Sequence, residues 1–582
     1  MAKQNYSEEE IRLILEQSDD EGQGQVQETQ DIDGSDVEGE LEAVEVNEYD
    51  SGSEVSVEDV DTMEVDDTEN DFVFFIGKDG ETIWSSKSPV QKRSRVPAKN
   101  IIKFTPGPTR ICKDTRRPID AFLKFINLDL IDIIVECTNT FIATKRAQVK
   151  YSRDRDCKDT SRDEIMAVFG ILFLIGVKHG NRANCKELWK DDGTGMLITR
   201  ATFSYKRFLF LLRTIRFDDL STRAKREKTD KLAAIRCVYK IFLDNCRNNY
   251  SLSEFTTIDE MLFAFRGRCG FVQYMPQKPA KYGLKFYGLC DSKTFYTSNF
   301  EVYCGKQRPG PYDVSNKPYD IVQRLSQNIQ HSNRNITMDN YYTSIPLADN
   351  LIKNGLTMIG TLKANKREIP PQFVTKSREI GSCLYGFQYD KILASIQTKR
   401  KKCVLLLSTM HDCEGIDEKT GKPVININYN ATKGGVDTVD KMCAAYSTAR
   451  QTRRWPLRIF FSFLDLAGIN SQVVFYHNNL STKRRREFLS DLGFELLETH
   501  LKIRAQINTL PKDIKIFLDK YHHQPQTISA TETDKKSGPC HICGGKKCNR
   551  TTVRCCNCEQ FVCKKHSRHV ATCDNCTLIS FS

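Results

Sequence analysis

The sequence predicts a multidomain α/β protein, and three observations carry that prediction. A strand-rich segment with two interposed helices, at 255–364, lies between two stretches of helical periodicity. An acidic segment poor in aromatic residues precedes everything able to bury a core. Nine of the 22 cysteines crowd between Cys540 and Cys576. A length of 582 residues allows about three or four domains.

Charge divides unevenly along the chain. Residues 1–70 hold 25 acidic and 2 basic residues, a balance of −23, so the remainder carries +34 although the whole chain is only +11. The first segment cannot offset chain entropy by burial, which predicts a disordered acidic N-terminal tail with a basic end over 1–108. Ser35 and Ser56 each stand before acidic residues, as acid-directed kinase sites do and as chance serines in a solubilising tail do equally. The positive excess of the body suits a polyanion, nucleic acid ahead of an acidic membrane surface. The first twenty residues hold no apolar run flanked by basic ones, so no secretory signal is expected. The longest apolar run, 165–177, is too short to span a bilayer. The thirteen cysteines outside the C-terminal cluster form no framework, which points to a reduced, intracellular compartment.

Four helix-length segments, at 117–145, 163–177, 203–217 and 231–246, repeat apolar residues at three- and four-residue spacing, so 109–254 reads as a helical domain with basic faces. From residue 255 the texture changes. Strands are expected at 256–266, 285–290 and 295–303, with Asp291-Ser-Lys-Thr294 as a turn. A helix at 319–330, a strand ending at Asp339, a helix at 345–355 and a strand at 356–364 follow. An antiparallel meander followed by βαβ crossovers is the order of an RNase H-like fold, one candidate among several mixed α/β folds. Residues 365–424 interrupt the pattern and read as an insertion. Its Gly415 and Gly421-Lys422 lack both the spacing and the Ser/Thr of a phosphate loop. The catalytic part resumes at 425–447 and the helical part at 448–525. A linker, 526–537, leads to a Cys-rich module, 538–582.

Four carboxylates stand out. Two-metal phosphoryl transfer needs several converging carboxylates, and oxygen donors suit Mg²⁺. Asp259 interrupts the apolar strand TTIDEMLFAF, where propensity and burial both disfavour it. Asp339 closes the strand NITMD at its carboxyl end, where sites form in open α/β sheets. Asp437 and Asp440 share one face of a helix. Asp339-Asn340 beginning a turn, and Asp437 and Asp440 solvating a first helical turn, are the plain alternatives. For Asp291 the turn reading is preferred.

The segments TIDEMLFAFRGRC, MPQKPAKYGLK, RNITMDNYYTSIPLA, ANKREIP, YNATKGGVDTVDKM and RRWP, in that order, resemble the piggyBac family of DNA transposases. The resemblance extends over nearly the whole chain. It implies that Asp259, Asp339 and Asp437 form a DDD catalytic triad binding two Mg²⁺ (or Mn²⁺) ions, with Asp440 accessory. It further implies an RNase H-like catalytic core with an insertion and a split helical dimerisation and DNA-binding domain. The implied activity is cut-and-paste transposition: binding of terminal repeats, nicking, hairpin formation and transfer into TTAA targets. The implied setting is a nuclear homodimer or larger assembly on DNA, with no membrane. A domesticated relative that binds DNA without transposing is the alternative. A ubiquitin-ligase or chromatin-reader role for the terminal module is a third reading, and the large carboxylate-bearing body argues against it as the main one.

Cys540-x2-Cys543, Cys555-x2-Cys558, Cys563-x2-His566 and Cys573-x2-Cys576 supply eight ligands, enough for two tetrahedral Zn²⁺ sites. In so short a stretch with almost no apolar core, metal must provide the folding energy. Spacing alone permits sequential or interleaved sites; likeness to RING- and PHD-type modules implies a cross-brace, first pair with third and second with fourth. Cys548 and Cys556 are spare thiols, and His541 and His569 are rival ligands. Arg450, Arg453, Arg454 and Trp455, with Lys564, Lys565 and Arg568 in the Cys-rich module, are the DNA-contact candidates. Packing under the next helix is the equal alternative for Trp455. Lys399–Lys402 and Lys483–Arg486 are basic clusters suited to nuclear import, phosphate contact or plain solvation.

Overall fold

The computed structural model describes residues 73–89, 96–148, 153–481, 483–522, 537–543, 550–554 and 560–567. It divides into two compact units, residues 1–501 and 502–582.

An eleven-stranded mixed sheet organises the first unit. Its strands are β1 (Phe74–Ile76), β2 (Ile83–Ser85), β3 (Phe255–Ala264), β4 (Gln273–Met275), β5 (Lys281–Asp291), β6 (Thr297–Val302), β7 (Asn335–Met338), β8 (Thr357–Thr361), β9 (Cys383–Phe387), β10 (Ile392–Lys399) and β11 (Lys402–Ser408). The spatial order is β1-β2-β9-β10-β11-β8-β7-β3-β5-β4, with β6 paired to β5. The meander β3-β5-β6 is antiparallel. β7 joins β3 in parallel, and β8 joins β7 in parallel. The helices α5 (Pro318–Ser326) and α6 (Ile345–Lys353) make the two crossovers that a parallel arrangement requires. The expected order of three strands, helix, strand, helix, strand is present, with the short β4 added between the first two strands.

Helices α1 (Leu128–Gln148), α2 (Arg162–Val177), α3 (Tyr205–Thr214) and α4 (Arg236–Asn248) stand in the chain between β2 and the rest of the sheet. After it come α7 (Val424–Thr432), α8 (Gly435–Ala445), α9 (Trp455–Asn479) and α10 (Arg485–Ala505). α2 begins with a capping Ser161, whose hydroxyl accepts from the amide of Glu164. The Glu164 carboxylate is buried and bound in fork geometry by Arg207, at 2.9 and 2.6 Å. At Gly170 a methyl group would meet the carbonyl of Gly493 at 2.7 Å, so α2 and α10 cross where both lack side chains. α9 has the length and composition of a membrane span, but that stretch is wholly buried inside the protein. A helix apolar all round is a core helix when protein surrounds it. Phe463 of α9 stacks on Phe242 of α4 and packs on Phe300 of β6, which ties the helices to one face of the sheet. Arg458 of the same helix donates to the carbonyl of Ala264, at the end of β3.

Two expectations change here. The disorder expected over 1–108 does not hold for residues 74–85, which form the hairpin β1-β2 at one edge of the sheet. Trp84 is fully buried there, its indole N–H donating to the carbonyl of Glu368 at 3.0 Å, and Phe75 meets Phe373 edge-on. Burial of two aromatic rings outweighs the polar composition of the surrounding stretch. Residues 1–72 lie outside the described residues. The insertion at 365–424 is also not a body apart. β11 pairs antiparallel with β8, and β10 and β9 follow, so it lengthens the central sheet. β8 would otherwise be an exposed edge, and pairing satisfies its backbone.

The second unit contains α11 (Lys512–His522) and a two-stranded ladder, Gly538–Pro539 with Arg550–Thr551.

Candidate functional site

Register decides where the first two aspartates meet. In the parallel pair β3-β7, Ile258 lies opposite Met338, so Asp259 and Asp339 follow at the next position of neighbouring strands. Three threonines lock this end of the sheet to the helices behind it. Thr257 donates to the carbonyl of Thr432 at 2.6 Å, and Thr337 and Thr432 share a hydroxyl contact at 2.7 Å. The next helix, α8, starts against the same strand. A side chain at Gly435 would strike the Thr257 hydroxyl at 2.5 Å, so only glycine admits this approach. Asp437 stands in the first turn of α8, and Asp440 lies one turn on. Strand, strand end and helix thus bring all four predicted carboxylates to one end of the sheet.

The charges there are poorly balanced. Burial first, then the negative charges of Glu260 and Asp437, push the Asp259 carboxyl well above its usual range, against the pull of Lys278. Its Oδ1 accepts one amide, that of Glu260, at 2.8 Å. Burial and the Glu260 charge raise Asp339 to about 6, although the amides of Tyr341 and Tyr342 and the charge of Lys363 act the other way. Asp440 is also raised, by burial, with Lys278 opposing. Lys278 reaches Asp437 Oδ1 at 2.8 Å and Asp440 Oδ2 at 3.5 Å. Carboxylates crowded so that protons are held more tightly than usual form a donor set that a hard, oxygen-seeking divalent cation fits.

Two residues here escaped the sequence reading. Glu260 is buried beside Asp259 and accepts from the Tyr342 hydroxyl at 2.7 Å. Lys278 lies in the MPQKP segment, where a lysine between two prolines was the available signal. Asp291 keeps its turn role: fully buried, it accepts from the amides of Lys293 and Thr294 and from the Ser253 hydroxyl, each at 2.9 Å.

The DNA-contact candidates separate. Arg450 is buried and donates to the carbonyls of Gly180, Asn181 and Ala183, which corrects its assignment to phosphate. Arg454 likewise binds the carbonyls of Leu212, Arg213 and Ile215. Trp455 packs edge-on against Phe271, in the loop between β3 and β4, at 5.2 Å. Arg453 is exposed, as are Lys564 and Lys565. Arg568 lies outside the described residues. Within the basic clusters, Arg485 is buried and Lys483 pairs with Asp491 at 2.7 Å.

In the second unit, Cys540, Cys543, Cys563 and His566 place four ligand atoms within 4.8 Å of one another. Cys543 and Cys563 sulfurs are 3.6 Å apart, and each lies 3.4 Å from His566 Nδ1. A tetrahedron with bonds of about 2.3 Å has edges of about 3.7 Å, so the set fits zinc. The first ligand pair thus meets the third. Cys555, Cys558, Cys573 and Cys576 lie outside the described residues.

A family model described as transposase IS4 matches residues 117–472. The human protein named piggyBac transposable element-derived protein 3 is 20% identical over 371 residues, 61% of this chain and 60% of that protein. The human chimeric ERCC6-PGBD3 protein matches at 20% over the same length, which is 34% of it. The chain therefore spans less than two thirds of either relative. A cryo-EM structure of the piggyBac transposase synaptic complex with hairpin DNA is 33% identical, with a TM-score of 0.68, covering 81% of this chain and all of that one.

Proposed function

Because this chain belongs to the piggyBac family of transposases, we propose that it is a cut-and-paste DNA transposase that binds transposon terminal repeats, nicks them, forms end hairpins and joins them to TTAA targets. One observation carries the reading. The β3-β7 register and the approach of α8 at Gly435 gather Asp259, Asp339 and Asp437, each from a different element, at one end of an RNase H-like strand order.

Asp259, Asp339 and Asp437 would hold two Mg²⁺ (or Mn²⁺) ions, with Asp440 as an accessory ligand. Bound there, such ions supply Lewis acidity for phosphoryl transfer. The chain's own groups do the rest. Glu260, held by Tyr342, fixes the inner wall beside Asp259, and the threonine contacts keep strand and helix in register. Exposed Arg453, with Lys564 and Lys565, would meet DNA phosphates. The Cys/His cluster would hold zinc as one half of a two-ion cross-brace that recognises terminal repeats. Assembly as a dimer or larger complex on DNA, in the nucleus, completes the proposal; the solved relative is itself a synaptic complex with DNA.

The test is a Mg²⁺-dependent nicking assay on a duplex carrying the element's own terminal repeat beside TTAA. Nicking that disappears in Asp339→Asn, with end binding retained, supports the reading. Nicking that survives Asp339→Asn places the active site elsewhere. Wild-type protein that binds the duplex and never nicks it is a DNA-binding protein without transposition.

A further inference from the structure

Lys278 has no task in the function as proposed, yet its surroundings are closely built. It lies in the loop between β4 and β5, between Pro276 and Pro279. Two tight turns follow each other there. The Lys278 amide donates to the carbonyl of Met275 at 3.1 Å, and the Lys281 amide donates to the carbonyl of Lys278 at 3.0 Å. A proline occupies the second position of each turn, where its fixed φ presets the backbone. The loop backbone is therefore rigid, while the side chain is a charged head on a flexible four-carbon stem.

That head enters the carboxylate end of the sheet. It donates to the carbonyl of Glu260 at 2.8 Å and to Asp437 Oδ1 at 2.8 Å, and stands 3.5 Å from Asp440 Oδ2. One ammonium thus bridges β3 and α8, the elements that carry three of the four carboxylates. The side chain of Asp440 is 16% exposed and that of Asp437 is 53% exposed, so the pair lies across the boundary between interior and solvent. Lys285, another lysine close to Glu260, is buried against Tyr287 and Tyr303.

An ammonium resting on two carboxylates opposes the entry of a divalent cation at the same oxygens, because like charges repel at that distance. It also has a second use. If it exchanges a carboxylate for a DNA phosphate, its charge stays paired and the carboxylate becomes available. We propose that Lys278 is a positioning residue that couples DNA docking to cation loading: without DNA it neutralises Asp437 and Asp440, and a docked phosphate draws it off and frees them for a divalent cation. The inference rests on the carboxylate-site reading above and adds an order of events to it, with DNA first and full cation occupancy second. Coupling of this kind is reciprocal, so bound cation must in turn tighten DNA.

The experiment counts free Mn²⁺ by electron paramagnetic resonance in titrations of the zinc-saturated full chain, with and without a random-sequence DNA duplex. Lys278→Met should bind Mn²⁺ about tenfold more tightly than wild type when DNA is absent, a coupling of ordinary size. Lys278→Arg, which keeps the charge, should match wild type. Adding the duplex should tighten Mn²⁺ binding by wild type and leave Lys278→Met unchanged. Lys278→Gln, able to keep the bond to the Glu260 carbonyl, should repeat the Met result, so a folding defect in one variant does not decide the matter. Equal or weaker Mn²⁺ binding by both neutral variants without DNA overturns the coupling, as does wild-type affinity indifferent to the duplex. Asp339→Asn separates the two readings. If it loses Mn²⁺ while Lys278→Met equals wild type, the carboxylate site stands and the coupling falls. If wild type takes up no Mn²⁺ at all, both fall.

Discussion

Asp259 and Asp291 sit on paired antiparallel strands of one sheet, and their charges are treated in opposite ways. The Asp291 carboxylate is sealed from solvent and satisfied by the amides of Lys293 and Thr294 and by Ser253. The Asp259 carboxylate receives one amide and faces the negative charges of Glu260 and Asp437. A charge completed by its own chain is fixed structure, because every donor around it loses a partner if it goes. A charge left incomplete costs stability and is retained where something outside the chain completes it. Two arginines differ in exposure as well: Arg450 is buried and enclosed by carbonyls, while Arg453 is exposed.

The largest expected effect tests the incomplete side. Asp259→Asn, Asp339→Asn and Asp437→Asn should each lower nicking by about a thousandfold or more, about 4 kcal/mol of barrier, and in the first two the melting temperature should be unchanged or raised because a strained charge has been removed. Asp440→Asn should fall in the same direction by less. A melting temperature that drops sharply in Asp259→Asn would erase the distinction from Asp291. The next effect tests the completed side. Asp291→Ala should cost about 3 kcal/mol in denaturant unfolding, through several orphaned donors, while the folded fraction nicks at the wild-type rate. Asp291 is therefore a stability residue and a poor neutral control.

The Cys/His cluster extends the comparison to a donor set compatible with zinc. Elemental analysis should give about two zinc ions per chain, and a strong chelator should unfold the module while the main calorimetric transition stays in place. One zinc or none in intact protein would refute the two-site arrangement. The smallest effect belongs to the arginines. Arg450→Ala should destabilise the fold by about 2 kcal/mol. Arg453→Ala should leave stability within about 0.5 kcal/mol and reduce the salt dependence of DNA binding by about one phosphate contact. Identical salt slopes for wild type and Arg453→Ala would remove it from the interface.

Much of this site was legible in the sequence because a misplaced residue type is itself a signal. An aspartate inside an apolar strand has to be explained, and Asp259 was singled out on that ground, while its place in a triad came only from the family resemblance. Strand and helix order followed from periodicity. Lys278 was not legible, since a charged residue near a turn is ordinary and only the fold shows what it faces; Glu260 was passed over although it stands beside Asp259 in the same apolar strand. The arginines before α9 misled for a related reason: composition reports charge but not direction, and Arg450 points inward. The hairpin at 74–85 was lost in the acidic composition around it, although Trp84, one of three tryptophans, stands in a short apolar alternation.

That hairpin also sets a practical limit on shortening the chain. Ser85 pairs with Phe387, and the Gln388 side chain donates to the carbonyl of Ile83, so β2 covers the outer edge of β9. A strand left uncovered offers its amides and carbonyls to any other strand it meets. A chain begun near residue 72 keeps this cover, whereas one begun after residue 89 exposes a bare sheet margin beside Phe373. Such a protein should form aggregates on concentration, and its loss of activity would be a failure of solubility rather than of chemistry.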